Sequence, residues 1–319
     1  MAFNAKKFIE RAVAEIKGQV GEGNAICAMS GGVDSSVLAV LGEMALGGRM
    51  TAVFVDTGLM RLDEPKNVAD MAKSVKMKLI SLDEGKRYFT ALSGVADPEK
   101  KRHIIGELFV DIFSEKAKEK SAKFLLQGTI APDRIESGAT GGDKIKGHHN
   151  LHPKLKQIFG DNVCEPLKDL YKHEVRQVAR ELGLPPALSE RQPFPGPGLA
   201  VRIVGEITQE KAEIVKKACA IVEEEIEKAS EAKKIERPWQ YFAALLPTKT
   251  VGVRGDERAY QYTMVVRSVR SLDAMTANFS HLPPELLERI SSRITNEIRE
   301  VGRVFYDITN KPPSTIEME

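Results

Sequence analysis

Seven consecutive residues, Ser30, Gly31, Gly32, Val33, Asp34, Ser35 and Ser36, bring together two glycines, three hydroxyls and one carboxylate. Glycines let a backbone approach an anion with no Cβ in the way, and the hydroxyls add donors. At a helix N-terminus, where main-chain N–H groups lack intrahelical acceptors, such a loop is an anion site. The lysine of a Walker loop is missing. Asp34 is the informative oddity. A carboxylate beside phosphates is repelled unless a cation lies between them, so the loop suggests a magnesium-bound nucleotide with Asp34 as a candidate ligand. The plainer alternative has Asp34 and Ser35 only capping the helix.

Two further carboxylates, Asp133 and Glu136, stand three residues apart just after the run "LLQGT". A helical turn would put both on one side, able to hold magnesium or orient a nucleotide, or simply to cap that turn. From Glu136 to Asn150 the chain is polar and glycine-rich without periodicity, which predicts a mobile loop or lid. It carries Lys146, His148 and His149, with His152 just beyond. A glycine-flanked histidine cluster is poorly preorganised for a metal. The better expectation is that Lys146, His148 and His149 bring positive charge to a reacting phosphate when the lid closes.

The elements that must position these groups follow from the pattern of apolar runs. "NAICAM", "MTAVFVDTG", "MKLISLDE" and "AKFLLQGT" alternate with helix-length segments. Such alternation predicts right-handed crossovers and a parallel sheet, with ligands at the carboxyl ends of the strands. A strand ending at Met29 and a helix opening near Ser35 would aim the loop amides at one point. After the Pro/Gly-dense "RQPFPGPGLA" the order changes: a charged helix from about Gln209 to Lys228, the runs "YFAALLP", "KTVGVRG" and "YTMVVRSV", a helix from about Pro284 to Glu300, then "VGRVFYDIT". That order suits a smaller α+β unit. A boundary is expected near Pro195, giving domains 1–195 and 196–319. "PFPGPG" reads equally as a stiff linker or as a ligand-facing segment.

Composition removes several alternatives. A net charge of +2, from 47 basic and 45 acidic residues, provides no large positive field for wrapping nucleic acid. No apolar stretch approaches the roughly 20 residues of a membrane span, and the first twenty residues mix charge with apolar side chains at helical spacing. A cytoplasmic protein is expected. Cys27, Cys164 and Cys219 form no CxxC pair, so buried free thiols are expected in place of a zinc site or disulfides.

The loop "SGGVDSS" resembles the PP-loop of the ATP pyrophosphatases, which split ATP between its α and β phosphates and transfer AMP to a carbonyl oxygen. The resemblance implies that the loop cradles the departing pyrophosphate and so dispenses with the Walker lysine. Further segments narrow it: "VFVDTGLMRLDE", "DPEKKRHIIGELFVDIF", "LLQGTIAPDRIES", "IKGHHNL", "EPLKDLYKHEVRQVARELGLP", "QPFPGPGLAVRIVGE", "TVGVRGDERAY" and the closing "RVFYDITNKPPSTIEME". In order and spacing these are similar to the GMP synthetases over essentially the whole chain. The fold implied is an α/β, parallel-sheet, adenine nucleotide alpha hydrolase-like domain followed by an α+β dimerisation domain, with ATP and Mg2+ as cofactors and a homodimer as the assembly. The loop begins only about thirty residues in, ahead of which bifunctional members carry a glutaminase. The chain is therefore expected to be a separate synthetase subunit using free ammonia or ammonia from a partner glutaminase.

By the same resemblance, Arg102 in "KKRHIIG" and Lys311, Ile316 and Glu317 in "KPPSTIE" match positions that bind XMP. Read without it, Arg102 belongs to a charge run typical of a solvated helix face. Lys311 is stronger on physical grounds, because the two adjoining prolines limit where the tail can place its charges. The implied reaction is attack of the purine C2 oxygen on the α-phosphate of ATP, then displacement of AMP by ammonia, with no obvious general base. NAD synthetase is the competing enzyme reading, and a nucleotide-sensing module without turnover is the reading from another class. A tRNA-thiolating enzyme fits less well, lacking a basic surface and a CxxC pair.

Overall fold

The computed structural model describes residues 3–132, 152–185, 188, 190–272 and 274–319. Two compact units emerge, one made of Met1–Asp56, Asp63–Asp83 and Glu107–Arg191, the other of Thr57–Leu62, Glu84–Gly106 and Gln192–Glu319.

In the first unit, α1 (Ala5–Val20) opens where the Asn4 side chain accepts the N–H of Lys7 at 3.0 Å, and ends at Gly21 in a positive-φ conformation. Five parallel strands follow: β1 (Ala25–Met29), β2 (Met50–Asp56), β3 (Leu79–Asp83), β4 (Phe124–Leu126) and β5 (Val163–Cys164), in the order β3-β2-β1-β4-β5. β1 is central, which explains its unbroken apolar sequence: a strand covered on both faces does not alternate. The chain winds outward from β1 through β2 and β3, then restarts at β4 on the other side. The order therefore reverses between β1 and β4, and the carboxyl ends of these two strands flank the crevice where parallel sheets take ligands. Helices α2 (Val33–Leu46) and α3 (Glu64–Ser74) follow β1 and β2, while α6 (Pro153–Phe159) and α7 (Lys172–Glu181) flank β5. The helix after β1 starts at Val33, two residues before the position expected from sequence, because Gly32 serves as its N-cap.

The second unit contains α4 (Gly85–Leu92) and the first turns of α5 (Pro98–Glu119). Its sheet is built on the hairpin of β6 (Gln240–Arg254) and β7 (Glu257–Arg270), with β8 (Asn278–Phe279) antiparallel and β9 (Val301–Tyr306) parallel to β7. Two predicted runs, "YFAALLP" and "KTVGVRG", fuse into the single strand β6, interrupted by a register shift between Leu245 and Lys249. α8 (Gln209–Glu231), capped by Thr208, and α9 (Pro284–Glu297) complete the unit. The α/β class with a smaller, largely antiparallel C-terminal unit is therefore as expected. All three cysteines are free and buried, and among the described residues no helix is long and apolar enough to cross a membrane.

Candidate active site

Ser30 to Ser36 occupy the turn from β1 into α2, at the reversal point of the sheet. Gly31 adopts φ +79°, and a Cβ there would lie 2.0 Å from Glu64 Oε1. Only glycine fits. The hydroxyls are committed to shaping the loop: Ser30 Oγ accepts the N–H of Gly32 at 3.3 Å, Ser35 Oγ accepts the N–H of Ser30 at 3.2 Å, and Ser35 and Ser36 both donate to the Gly32 carbonyl. With glycine as N-cap, no side chain caps α2. The amides of Val33, Asp34 and Ser35, in the first turn, have no hydrogen-bond acceptor among the described residues. Such donors at a positive helix end suit a phosphate.

Asp34 does not cap the helix. Its Oδ2 accepts from the ammonium of Lys172, the first residue of α7, while its Oδ1 is buried with no hydrogen-bond partner. A lysine in the first turn of a helix opposes the dipole, so its place there needs a nearby anion. Asp34 supplies one. The arrangement fits magnesium: a buried, unpartnered carboxylate oxygen beside exposed main-chain donors is the one protein ligand that a phosphate-bound Mg2+ requires. No group of three or more His, Cys, Asp or Glu side chains among the described residues could hold a metal unaided.

Gly128 and Thr129, from "QGT" after β4, face the loop from the neighbouring strand. Thr129 Oγ1 donates to Glu165 Oε1 at 2.5 Å, and a Cβ on Gly128 would approach the Asp34 carbonyl to 3.9 Å. Beside the loop lies a cavity of about 480 Å³ lined by Gly31, Ser36, Glu64, Val68, Met71 and Arg191 among others. Arg191 NH1 donates to Glu64 Oε1 at 2.7 Å, so the residue that excludes a side chain from Gly31 is itself held by an arginine. Neither Glu64, Arg191 nor Lys172 was singled out from sequence. The only cue for Lys172 was its awkward place at a helix start.

Asp133, Glu136, Lys146, His148 and His149 lie outside the described residues. His152 is described, and its Nε2 is 2.6 Å from Glu107 Oε1 while its Nδ1 accepts the N–H of Lys154 at 3.3 Å. Together with Lys154 it holds the Glu107 carboxyl below the usual range.

The expected nucleotide-binding positions Arg102, Lys311, Ile316 and Glu317 all belong to the second unit. Arg102, on α5, pairs with Glu99. Lys311 sits between two strand ends: its N–H donates to the Ala277 carbonyl at 2.7 Å and its ammonium to the Ala274 carbonyl at 2.9 Å. The Lys311–Pro312 and Pro312–Pro313 bonds are both cis. Ile316 is buried. Glu317 is gripped by Arg202, whose Nε and NH2 donate to its two oxygens at 3.0 Å each. Burial works against the Arg202 charge, yet the Glu317 carboxylate more than offsets this and raises the guanidinium above its ordinary pKa. Next to Arg102, Lys101 is wholly buried and donates to Glu319 and to the Ile203 carbonyl. Burial pulls its ammonium below the ordinary lysine value although Glu319 opposes the shift.

A parallel sheet with an SGGVDSS loop at its reversal point, free helix amides and a half-paired aspartate defines a nucleotide-binding α/β enzyme of the PP-loop kind. Comparison with known proteins carries this further. A GMP synthase C-terminal domain model matches residues 224–318. The B-type subunit of the glutamine-hydrolyzing GMP synthase of Pyrococcus furiosus is 56% identical over 98% of this chain and 97% of its own. The Methanocaldococcus jannaschii protein of the same name is 54% identical over 99% of this chain and 100% of its own. The chain belongs to this family of B-type GMP synthase subunits, whose members are ligases that form a C–N bond. Among solved structures, an NMN synthetase from Francisella tularensis is similar with a TM-score of 0.48 and 15% identity, covering 66% of this chain and 85% of that one.

Proposed function

We propose that this chain is the synthetase subunit that adenylates XMP with ATP, releases pyrophosphate, and lets ammonia displace AMP to give GMP. The observation that carries the reading is the loop at Ser30–Ser36, whose first-turn amides and half-paired Asp34 suit the β and γ phosphates of ATP. Holding that end leaves the α-phosphorus open to the purine C2 oxygen. Adenylation turns that oxygen into a good leaving group, so the protein's task is positioning and charge neutralisation. Bound Mg2+ would be held by Asp34 and would neutralise phosphate charge. Lys172 balances the Asp34 carboxylate and so lowers its repulsion of the triphosphate.

On the nucleotide side, Arg102, Lys311, Ile316 and Glu317 are proposed to take XMP, with the buried Arg202 and Lys101 holding the tail in place. Asp133 and Glu136 are proposed to orient the reacting groups, and Lys146, His148 and His149 to bring positive charge to the α-phosphate. These assignments rest on the resemblance. Ammonia is proposed to come from a separate glutaminase, consistent with the relatives being named as one lettered component of a glutamine-hydrolyzing enzyme. A homodimer through the second unit is supported by the exposed apolar residues Val251, Val253 and Tyr260 on its hairpin. The charged, amphipathic α1 supports a cytoplasmic place of action.

The test is formation of AMP, pyrophosphate and GMP from ATP, XMP and ammonium by this chain alone. Pyrophosphate release that does not require XMP, or that requires a carboxylate substrate in its place, would overturn the reading. Near-full-length identity to GMP synthase chains already weighs against the NAD synthetase alternative.

A further inference from the structure

Three wholly buried cations converge on one short C-terminal segment of the second unit: Arg267, Arg202 and Lys101. Buried ion pairs are poor sources of net stability, because desolvation cancels much of the attraction. Three at one segment call for another explanation. Arg267 is purely a clamp. Its five N–H groups go to the Ile316 carbonyl, Asp307, the Thr309 carbonyl, Ser314 Oγ and the Thr315 carbonyl, at 2.8 to 3.0 Å.

Arg202 does something different, since its fork ends on a side chain that keeps an open acceptor. Its guanidinium lies 4.2 Å from the ring centre of Phe242 and 5.2 Å from that of Phe194, which fixes the plane of the fork. Glu317 Oε1 accepts from Arg202 NH2 at 3.0 Å and from Gln240 Nε2 at 2.8 Å. Oε2 accepts only from Arg202 Nε, at 3.0 Å. A carboxylate oxygen has two acceptor sites. Oε1 is therefore filled, Oε2 has one site left, and the side chain is 16% exposed.

Resting on the XMP reading above, we propose that Arg202 and Gln240 are positioning residues that aim the one remaining acceptor site of Glu317 Oε2 at a donor N–H or O–H of the purine nucleotide. Selection then works by penalty. A nucleotide lacking that donor leaves a desolvated carboxylate oxygen unpaired, which costs more than a lost contact. Lysine cannot replace Arg202, because an ammonium lacks the planar fork that fixes both oxygens and does not stack between two rings.

The experiment compares wild type with Gln240→Met and Arg202→Lys, measuring KM for XMP and for ATP, kcat, and the relative use of IMP, 2′-deoxy-XMP and 3′-deoxy-XMP, each of which lacks one donor. Gln240→Met keeps the side-chain volume and is expected to raise KM for XMP about 3- to 10-fold, the effect of loosening one hydrogen bond to a charged group, with KM for ATP unchanged. Arg202→Lys is expected to raise it at least about tenfold. Both variants should lose wild-type discrimination against one of the three analogues, and that analogue identifies the donor. A purely structural role would lower the thermal midpoint and kcat while leaving analogue discrimination intact, and that result overturns the proposal. Should Arg202→Lys not fold, Gln240→Met decides alone. Failure of wild type to release pyrophosphate with XMP would instead overturn the functional reading itself.

Discussion

Lys172 donates to one oxygen of Asp34 and leaves the other buried without a donor, although 138 residues separate the two in sequence. The lysine stabilises the carboxylate in the apo loop, and the open oxygen is free for a cation. Asp34→Asn keeps the shape and removes the charge. Pyrophosphate release is expected to fall on the order of 10²-fold, the scale of losing one electrostatic group at a reacting phosphate, and the magnesium concentration for half-maximal rate should rise. A titration of rate against Mg2+ checks both. Lys172→Met should slow release by about tenfold or more by leaving Asp34 unbalanced.

Gly31→Ala should damage folding and activity together. Its φ of +79° already disfavours a side chain, and the new Cβ would sit 2.0 Å from Glu64 Oε1. Backbone strain alone is worth on the order of 1–3 kcal/mol, and relief requires Glu64 to leave Arg191. Urea denaturation should give a lower midpoint, and pairing the substitution with Glu64→Ala should recover part of the stability.

Arg267→Met should destabilise by about 3–5 kcal/mol, because it strands Asp307 and three main-chain carbonyls. Limited proteolysis should then cut within 307–319 before the rest of the chain. An unchanged unfolding midpoint would show that the clamp contributes nothing.

The three cysteines should resist iodoacetamide in the native protein near pH 8 and react quickly after denaturation. Burial pushes the thiols of Cys27 and Cys164 up to about 12 and raises that of Cys219 as well. A thiol kept protonated is a poor nucleophile. Mass spectrometry of alkylated peptides reads the result directly.

What was legible in the sequence was local. β1 to β4 fall inside the apolar runs that predict them, because a covered parallel strand must be continuously apolar. The loop at Ser30 was readable because its glycines and serines act within seven residues of one another. β5, only Val163–Cys164, is too short to leave a pattern. The partners of the site residues were hidden for a different reason. Lys172 with Asp34, Arg191 with Glu64, and Arg202 with Glu317 meet across 138, 127 and 115 residues, and a buried arginine reads like a solvated one until the fold surrounds it. Lys101 makes the point most sharply: it sits in the charge run that suggested an exposed helix face, yet it is wholly buried, while its neighbour Arg102 remains partly exposed.

The interruption in β6 has a consequence for crowding at high concentration. β7 lies between β6 and the strands β8 and β9, so β6 forms the rim of the sheet, covered beside Leu245 by Val204, which donates to its carbonyl. A foreign strand zipping along that rim would meet the irregular step between Leu245 and Lys249, where Pro247 offers no N–H. The rim thus resists runaway stacking of one molecule on the next, and Pro247→Thr would remove one of the two features that keep it blunt.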